Sequence, residues 1–201
     1  MDKASRKKTE ILEAAYRVFY EKGYHATRIE DIATELGMSQ GLFYRYFRNK
    51  LDIFMQIIEE IISSITQGIT ADPPTASTTL DEYVAQLRRA VEKLFDRFSE
   101  DPLISKLLFY EALGIDDEIN RRIQEAFDLF GEYSASYLKH GVEKGFLRSD
   151  MRIKETAFAF NAIVFEGARR ISQSGSKARA RNHWTQAIVD LMTQGTAAPG
   201  T

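Results

Sequence analysis

The sequence predicts an all-α protein. Apolar residues recur at three- and four-residue spacing along almost its whole length, capping signals divide the repeat into about nine helices, and no alternating strand-like run interrupts it. The first helix is expected from about Arg6 to Lys22, with Ile11, Ala15, Val18 and Phe19 as its apolar stripe and Gly23 as its stop. Thr27 is placed to cap a second helix, with Glu30 three residues on completing a capping box. Ile29, Ile32, Ala33 and Leu36 supply its inner face, and Gly37 ends it. Ser39 caps the third helix, Gln40 to Phe47. Phe43 and Phe47, four apart, face inward there, leaving Gln40, Gly41 and Tyr44 on the outer side.

The fourth helix starts at Leu51 and keeps a heptad-like apolar spacing to near Ile69. Two prolines among small polar residues make Ala71 to Thr79 the clearest linker. A second capping box, Thr79 with Glu82, opens the fifth helix, which reaches about Phe98. Asp101-Pro102 opens the sixth, expected to run to near Gly114. Asp116 caps the seventh, which ends before Gly145; the eighth spans about Ile153 to Ser174, and the ninth runs from Ser176 to near Gly195. The domain reading is residues 1–50 as a helix-turn-helix, 51–195 as a helical second domain and 196–201 as a loose tail.

Two short helices joined by a tight Gly-Met-Ser turn, the second with a polar outer face of Gln, a small residue and Tyr, suit insertion into the DNA major groove. At these residues the chain resembles the TetR family of bacterial transcriptional regulators. The pattern is carried by Gly23-Tyr24, Thr27, Ile32-Ala33, Gly37-Met38-Ser39, Gly41, Tyr44, Tyr46-Phe47 and Lys50, without a gap over roughly the first fifty residues. Arg28 stands where a second Thr or a small residue is common, and Met38 replaces Val in the turn. Expected DNA contacts are Thr27, Arg28, Ser39, Gln40, Gly41, Leu42, Tyr44, Tyr46 and Lys50. Gln40 and Leu42 are set for base edges. The family's equivalents of Tyr44, Tyr46 and Lys50 touch the phosphate backbone.

The net charge of −2 hides an uneven distribution. Residues 1–50 hold 10 Lys/Arg against 7 Asp/Glu, and the remainder 17 against 22, so a net +3 sits on the helix-turn-helix and −5 beyond it. With no cysteine there is no disulfide framework or thiolate metal site, and no apolar run is long enough for a membrane span. Cytoplasm is the expected compartment.

The resemblance implies a ligand pocket inside the second domain. Its aromatic helices offer Phe95, Phe98, Phe109, Tyr110, Phe127, Phe130 and Phe165, and Glu111 and Asn161 are polar groups set in apolar runs. Glu166 is a third such group, able to meet a ligand or to pair with Arg169 or Arg170. The family's last two helices form a four-helix dimer interface. Ala162, Phe165, Ala168 and Ile171, with Trp184, Ala187, Ile188 and Leu191, make stripes that suit one.

No nucleophile elbow, phosphate loop or zinc-protease motif appears, and His140 and Glu143, three apart on a helix, could share a metal but as a lone pair read as a solvated surface contact, so neither enzyme activity nor a metal or cofactor is expected. The function expected is a DNA-binding regulator, a homodimer released from operator DNA by a small, largely apolar effector. The alternative is a TetR-like DNA-binding protein under no ligand control, organising the nucleoid or answering to a partner.

Overall fold

The computed structural model describes residues 2–196, so the expectation for residues 197–201 falls outside the described residues. Among those described, nine α-helices and no strand appear: α1 (Lys3–Lys22), α2 (Ile29–Glu35), α3 (Gln40–Phe43), α4 (Lys50–Thr70), α5 (Leu80–Glu100), α6 (Pro102–Lys106), α7 (Asp117–Glu143), α8 (Ile153–Ser172) and α9 (Lys177–Thr196). Thr196, expected in the tail, is helical and buried.

Three local differences from the sequence reading have identifiable causes. Helix α1 begins three residues early, because Asp2 accepts the N–H of Ser5 at 2.7 Å and serves as its cap. The cap of α2 is Arg28 rather than Thr27: Asp31, not Glu30, closes the box by accepting the Arg28 N–H at 2.7 Å. Thr27 instead turns inward and donates its hydroxyl to the Gly23 carbonyl at 2.7 Å. The sixth helix is not continuous. After Lys106 the chain widens into a π-helical turn, Leu107–Glu111, in which the Ala112 N–H reaches back five residues to the Leu107 carbonyl at 2.8 Å.

The chain forms two compact units. The first comprises the residues up to Ser63 together with Lys106–Asn120; the second comprises Ser64–Ser105 and the chain from Arg121 onward. The first unit is therefore larger than the 50 residues of the motif and is discontinuous in sequence. Its core is aromatic: the ring of Phe54 lies 5.2 Å from Phe19, edge-on, and 4.6 Å from Tyr24, while Phe43 and Phe47 pack together at 5.6 Å. The returning segment is tied to the α1–α2 connection. Lys106 Nζ donates to the Tyr20 carbonyl at 2.5 Å, and Glu111 Oε2 accepts the Tyr24 N–H at 3.1 Å.

In the second unit α5, α8 and α9 pack on one another pairwise. Phe95 and Phe98, both fully buried, belong to this core. Gly167 on α8 allows the close approach: a Cβ there would sit 2.9 Å from Phe95 and 3.2 Å from Trp184. The linker after α4 is bound down rather than loose. Gln86 Nε2 donates to the Pro73 carbonyl at 2.7 Å, and His140 Nε2 lies 2.8 Å from the Ser77 carbonyl. His140 is thus committed to the linker, and Glu143 is exposed beside Lys139, so the two do not form a metal pair. Thr79 and Glu82 do close the predicted capping box of α5.

Candidate DNA-binding face and effector cavity

The turn between α2 and α3 rests on Gly37, whose φ of +60° is a left-handed conformation that suits glycine. Ser39 then caps α3 by accepting the Leu42 N–H at 3.3 Å. Regular α-helix ends at Phe43, but bonds from Tyr44 N–H to Gln40 and from Phe47 N–H to Phe43 carry the coil onward. Phe43 and Phe47 are buried as their spacing requires, and Gln40, Gly41 and Tyr44 are exposed. Gly41 has no left-handed φ, and only Ser39 Oγ, at 4.0 Å, would lie near an added Cβ. Folding does not need a glycine there.

Arg28, Ser39, Gln40, Gly41 and Tyr44 are exposed, and Leu42 and Tyr46 half-buried. Two other expected contacts are turned to internal use. Thr27 is buried with its hydroxyl on Gly23. Lys50 reaches back into the Tyr24–Thr27 loop, where its ammonium donates to the carbonyls of Tyr24 at 2.7 Å and Thr27 at 2.9 Å and lies 4.3 Å from the centre of the Tyr24 ring. Partial burial lowers its pKa from the ordinary lysine value. Both residues keep the loop before α2 in shape instead of facing outward. Arg45, exposed beside Tyr44, is a cation the sequence reading passed over.

The second unit contains a cavity of about 70 Å³ among α5, α7, α8 and the end of α4. Leu87, Val91, Leu94, Phe130, Phe160, Val164 and Phe165 give it apolar walls. Its polar side chains are Gln86, Tyr133, Ser134, Tyr137 and Asn161, with Asp72 at the margin. Gln86 Oε1 and Asn161 Nδ2 are buried without a hydrogen-bond partner, an arrangement native interiors rarely keep. Of the residues expected at a pocket, Phe130, Asn161 and Phe165 line this one. Phe95 and Phe98 are core, and Phe127 packs edge-on against Phe165 at 4.9 Å without reaching the space. Phe109, Tyr110 and Glu111 belong to the other unit. The amphipathic stripe of α5 held the missing signal: Tyr83, Gln86, Leu87, Ala90 and Val91 recur at helical spacing, so Gln86 is a polar group on an apolar stripe.

Residues 11–57 match the sequence pattern of bacterial regulatory proteins of the tetR family. The helix-turn-helix is a TetR-family domain. The transcriptional activator FasR of Mycolicibacterium smegmatis is 26% identical over 117 residues, covering 58% of this chain and 52% of its own. The nucleoid occlusion factor SlmA of Actinobacillus pleuropneumoniae serotype 5b is 32% identical over 54% of this chain and 52% of its own. The chain thus spans about half the length of each. Over the whole fold, the regulator FadR of Bacillus subtilis, solved in complex with stearoyl-CoA, superposes with a TM-score of 0.74 at 20% identity, covering 93% of this chain and 98% of that one. The all-helical architecture beyond the TetR domain is accordingly the one seen in such regulators, and no described helix is long and apolar enough to cross a membrane.

The stripes expected to pair two TetR subunits divide in the structure. Ala168, Ile171 and Ile188 are buried within the chain, filling the α5–α8–α9 junction. Phe165 and Trp184 are half-buried, and Ala162, Ala187 and Leu191 are exposed, Leu191 by 53%. Three of the eight are therefore core, since a helix wedged between two others buries more than one face. Glu166 pairs with Arg169 and Arg170 at 2.7 Å, and these two cations hold its carboxyl down at about 2. Arg181 is likewise occupied, by Asp96, and Lys177 by the Ser99 carbonyl.

Proposed function

We propose that this TetR-family transcriptional regulator binds operator DNA as a homodimer and acts as a repressor released by a small molecule held in the second unit. The exposed Gln40–Gly41–Tyr44 face carries the reading. It pairs an amide able to recognise a base edge with a glycine that leaves room for close approach from outside. Leu42 stands with Gln40 for base edges, and Arg28, Ser39, Tyr46 and Arg45 flank the face as positioning contacts. The uneven charge, positive over the first fifty residues, favours the same approach. Ala162, Ala187 and Leu191, with the exposed edges of Phe165 and Trp184, form the surface that a second copy would cover. DNA as partner places the work in the cytoplasm of a bacterium.

Ligand control is supported by the cavity and its unpaired amide atoms. A second reading, DNA binding without a ligand, is favoured by the likeness to SlmA. Selecting DNA from a random pool with the full chain, then screening release of the selected duplex with small molecules, separates the two. A single palindromic site released by a ligand supports the first reading. A site insensitive to every ligand that enters the cavity rejects it.

A further inference from the structure

We infer that the cavity of the second unit selects an uncharged, compact ligand carrying both a hydrogen-bond donor and an acceptor, as a primary carboxamide does, on an apolar or aromatic body. The inference rests on the proposal that this cavity is the effector site and specifies its chemistry.

Gln86 fixes the first half of the pattern. Its Nε2 donates to the carbonyls of Pro73 at 2.7 Å and Asp72 at 3.4 Å, so the orientation of the amide is set by two acceptors that only the NH₂ end can satisfy. The other end, Oε1, is buried with no donor against it, on a residue 3% exposed that lines the cavity. That oxygen is open to a ligand donor. Asn161 supplies the second half. Its Oδ1 accepts the Ser134 hydroxyl at 2.8 Å, leaving the buried Nδ2 for a ligand acceptor. A ligand that answers both presents a donor and an acceptor.

Charge is excluded by the rest of the wall. No Lys, Arg or His is among the described lining residues, so an anion would enter without a counterion. Asp72 is the single acid there, and its carboxylate is occupied by Arg89 at 3.0 Å, so a cation gains no net negative partner. The tyrosine hydroxyls are committed as well: Tyr133 donates to the Asp72 carbonyl, and Tyr137 to the Tyr83 carbonyl. Phe130, Phe160 and Phe165 leave space suited to an apolar or flat body. The phosphates of a coenzyme A thioester, the ligand type bound by the FadR relative, have no partner among these lining residues.

Three probes of the same size and shape test this: benzamide, benzoate and benzamidinium. Benzamide has donor and acceptor, benzoate only acceptors, benzamidinium only donors and a positive charge. Dissociation constants are measured with the full chain by NMR titration. Benzamide is expected to bind at least tenfold tighter than either charged probe. Gln86→Leu should reduce that selectivity to within about twofold. Because Gln86 also holds the linker, Asn161→Val is the companion variant, expected to weaken benzamide while leaving the fold intact by circular dichroism. Equal or tighter binding of a charged probe overturns the neutral-ligand inference while leaving an effector site in place. Benzamide affinity unchanged in both variants also overturns it. Failure of all three probes to bind overturns the cavity as an effector site altogether.

Discussion

The carboxylate of Glu111 accepts the main-chain N–H of Tyr24 at 3.1 Å, joining two residues 87 positions apart in sequence. Tyr24 opens the loop that leads into α2, and Gly23 beside it leaves so little room that an added Cβ would lie 3.1 Å from Glu111 Oε1. A residue on the π-helical turn thus supports the loop that aims the helix-turn-helix.

Glu111→Ala removes the acceptor of that N–H. Loss of about 1–3 kcal/mol is expected from the part-buried amide left unpaired, with faster hydrogen exchange at Tyr24 and weaker operator binding. Glu111→Gln, which keeps an oxygen there, should restore most of both. Operator affinity and Tyr24 exchange indistinguishable from the parent in Glu111→Ala would remove the support role.

Lys50→Met tests whether that cation meets phosphate. The carbonyl cage predicts a lower unfolding midpoint and an unchanged slope of log affinity against log salt. A direct phosphate contact would flatten the slope by about 1. Arg45→Ala is expected to produce that flattening instead.

Gln40→Ala and Thr27→Val should separate reading from folding. The first is expected to relax base preference by about 1–3 kcal/mol at each contacted pair while non-specific binding persists. The second loses the bond to Gly23 and should lower stability by about 1 kcal/mol with sequence preference intact. Binding profiles over all single-base operator variants distinguish the two outcomes.

Leu191→Arg places a charge on the exposed stripe of α9. Sedimentation equilibrium should show a monomer whose operator affinity has fallen, with helical content unchanged. A persistent dimer would move the interface elsewhere.

Glu166 gives a pH signature. Arg169 and then Arg170 lower its pKa from 4.5 to about 2 in the folded chain, so the unfolded state binds its proton first as acid is added. Its contribution is complete above pH 4.5 and disappears as pH falls toward 2. Glu166→Gln should flatten that part of the stability profile, measured by urea unfolding across the acid range.

Much of this architecture was legible because helical periodicity is local. The buried pair Phe43 and Phe47, the Thr79–Glu82 box and the Gly37 turn each depend on neighbours within a few residues. What sequence spacing cannot express is which of two adjacent candidates wins a geometric contest. Thr27 and Arg28 are both able to precede α2, and the Gly23 carbonyl claimed the threonine. Lys50 was legible as a cation of the motif but not as one folded back on Tyr24. Glu111 lay in an apolar run for a reason, yet its partner was a distant main-chain amide. Phe95 and Phe130 look alike in sequence; only the packing of three helices makes one core and the other a cavity wall.

The discontinuity of the first unit has a consequence for biosynthesis. Translation delivers the recognition helix early, but Lys106 and Glu111, which brace its approach loop, follow only after the whole of α5. At ribosomal speeds of about 5–20 residues per second, the 87 positions separating Tyr24 from Glu111 take about 4–17 s to emerge. During that interval a nascent chain has α3 and its exposed face but not the brace behind the loop before α2. Completion of the first unit is thereby deferred until α5, which belongs to the second, has also been made.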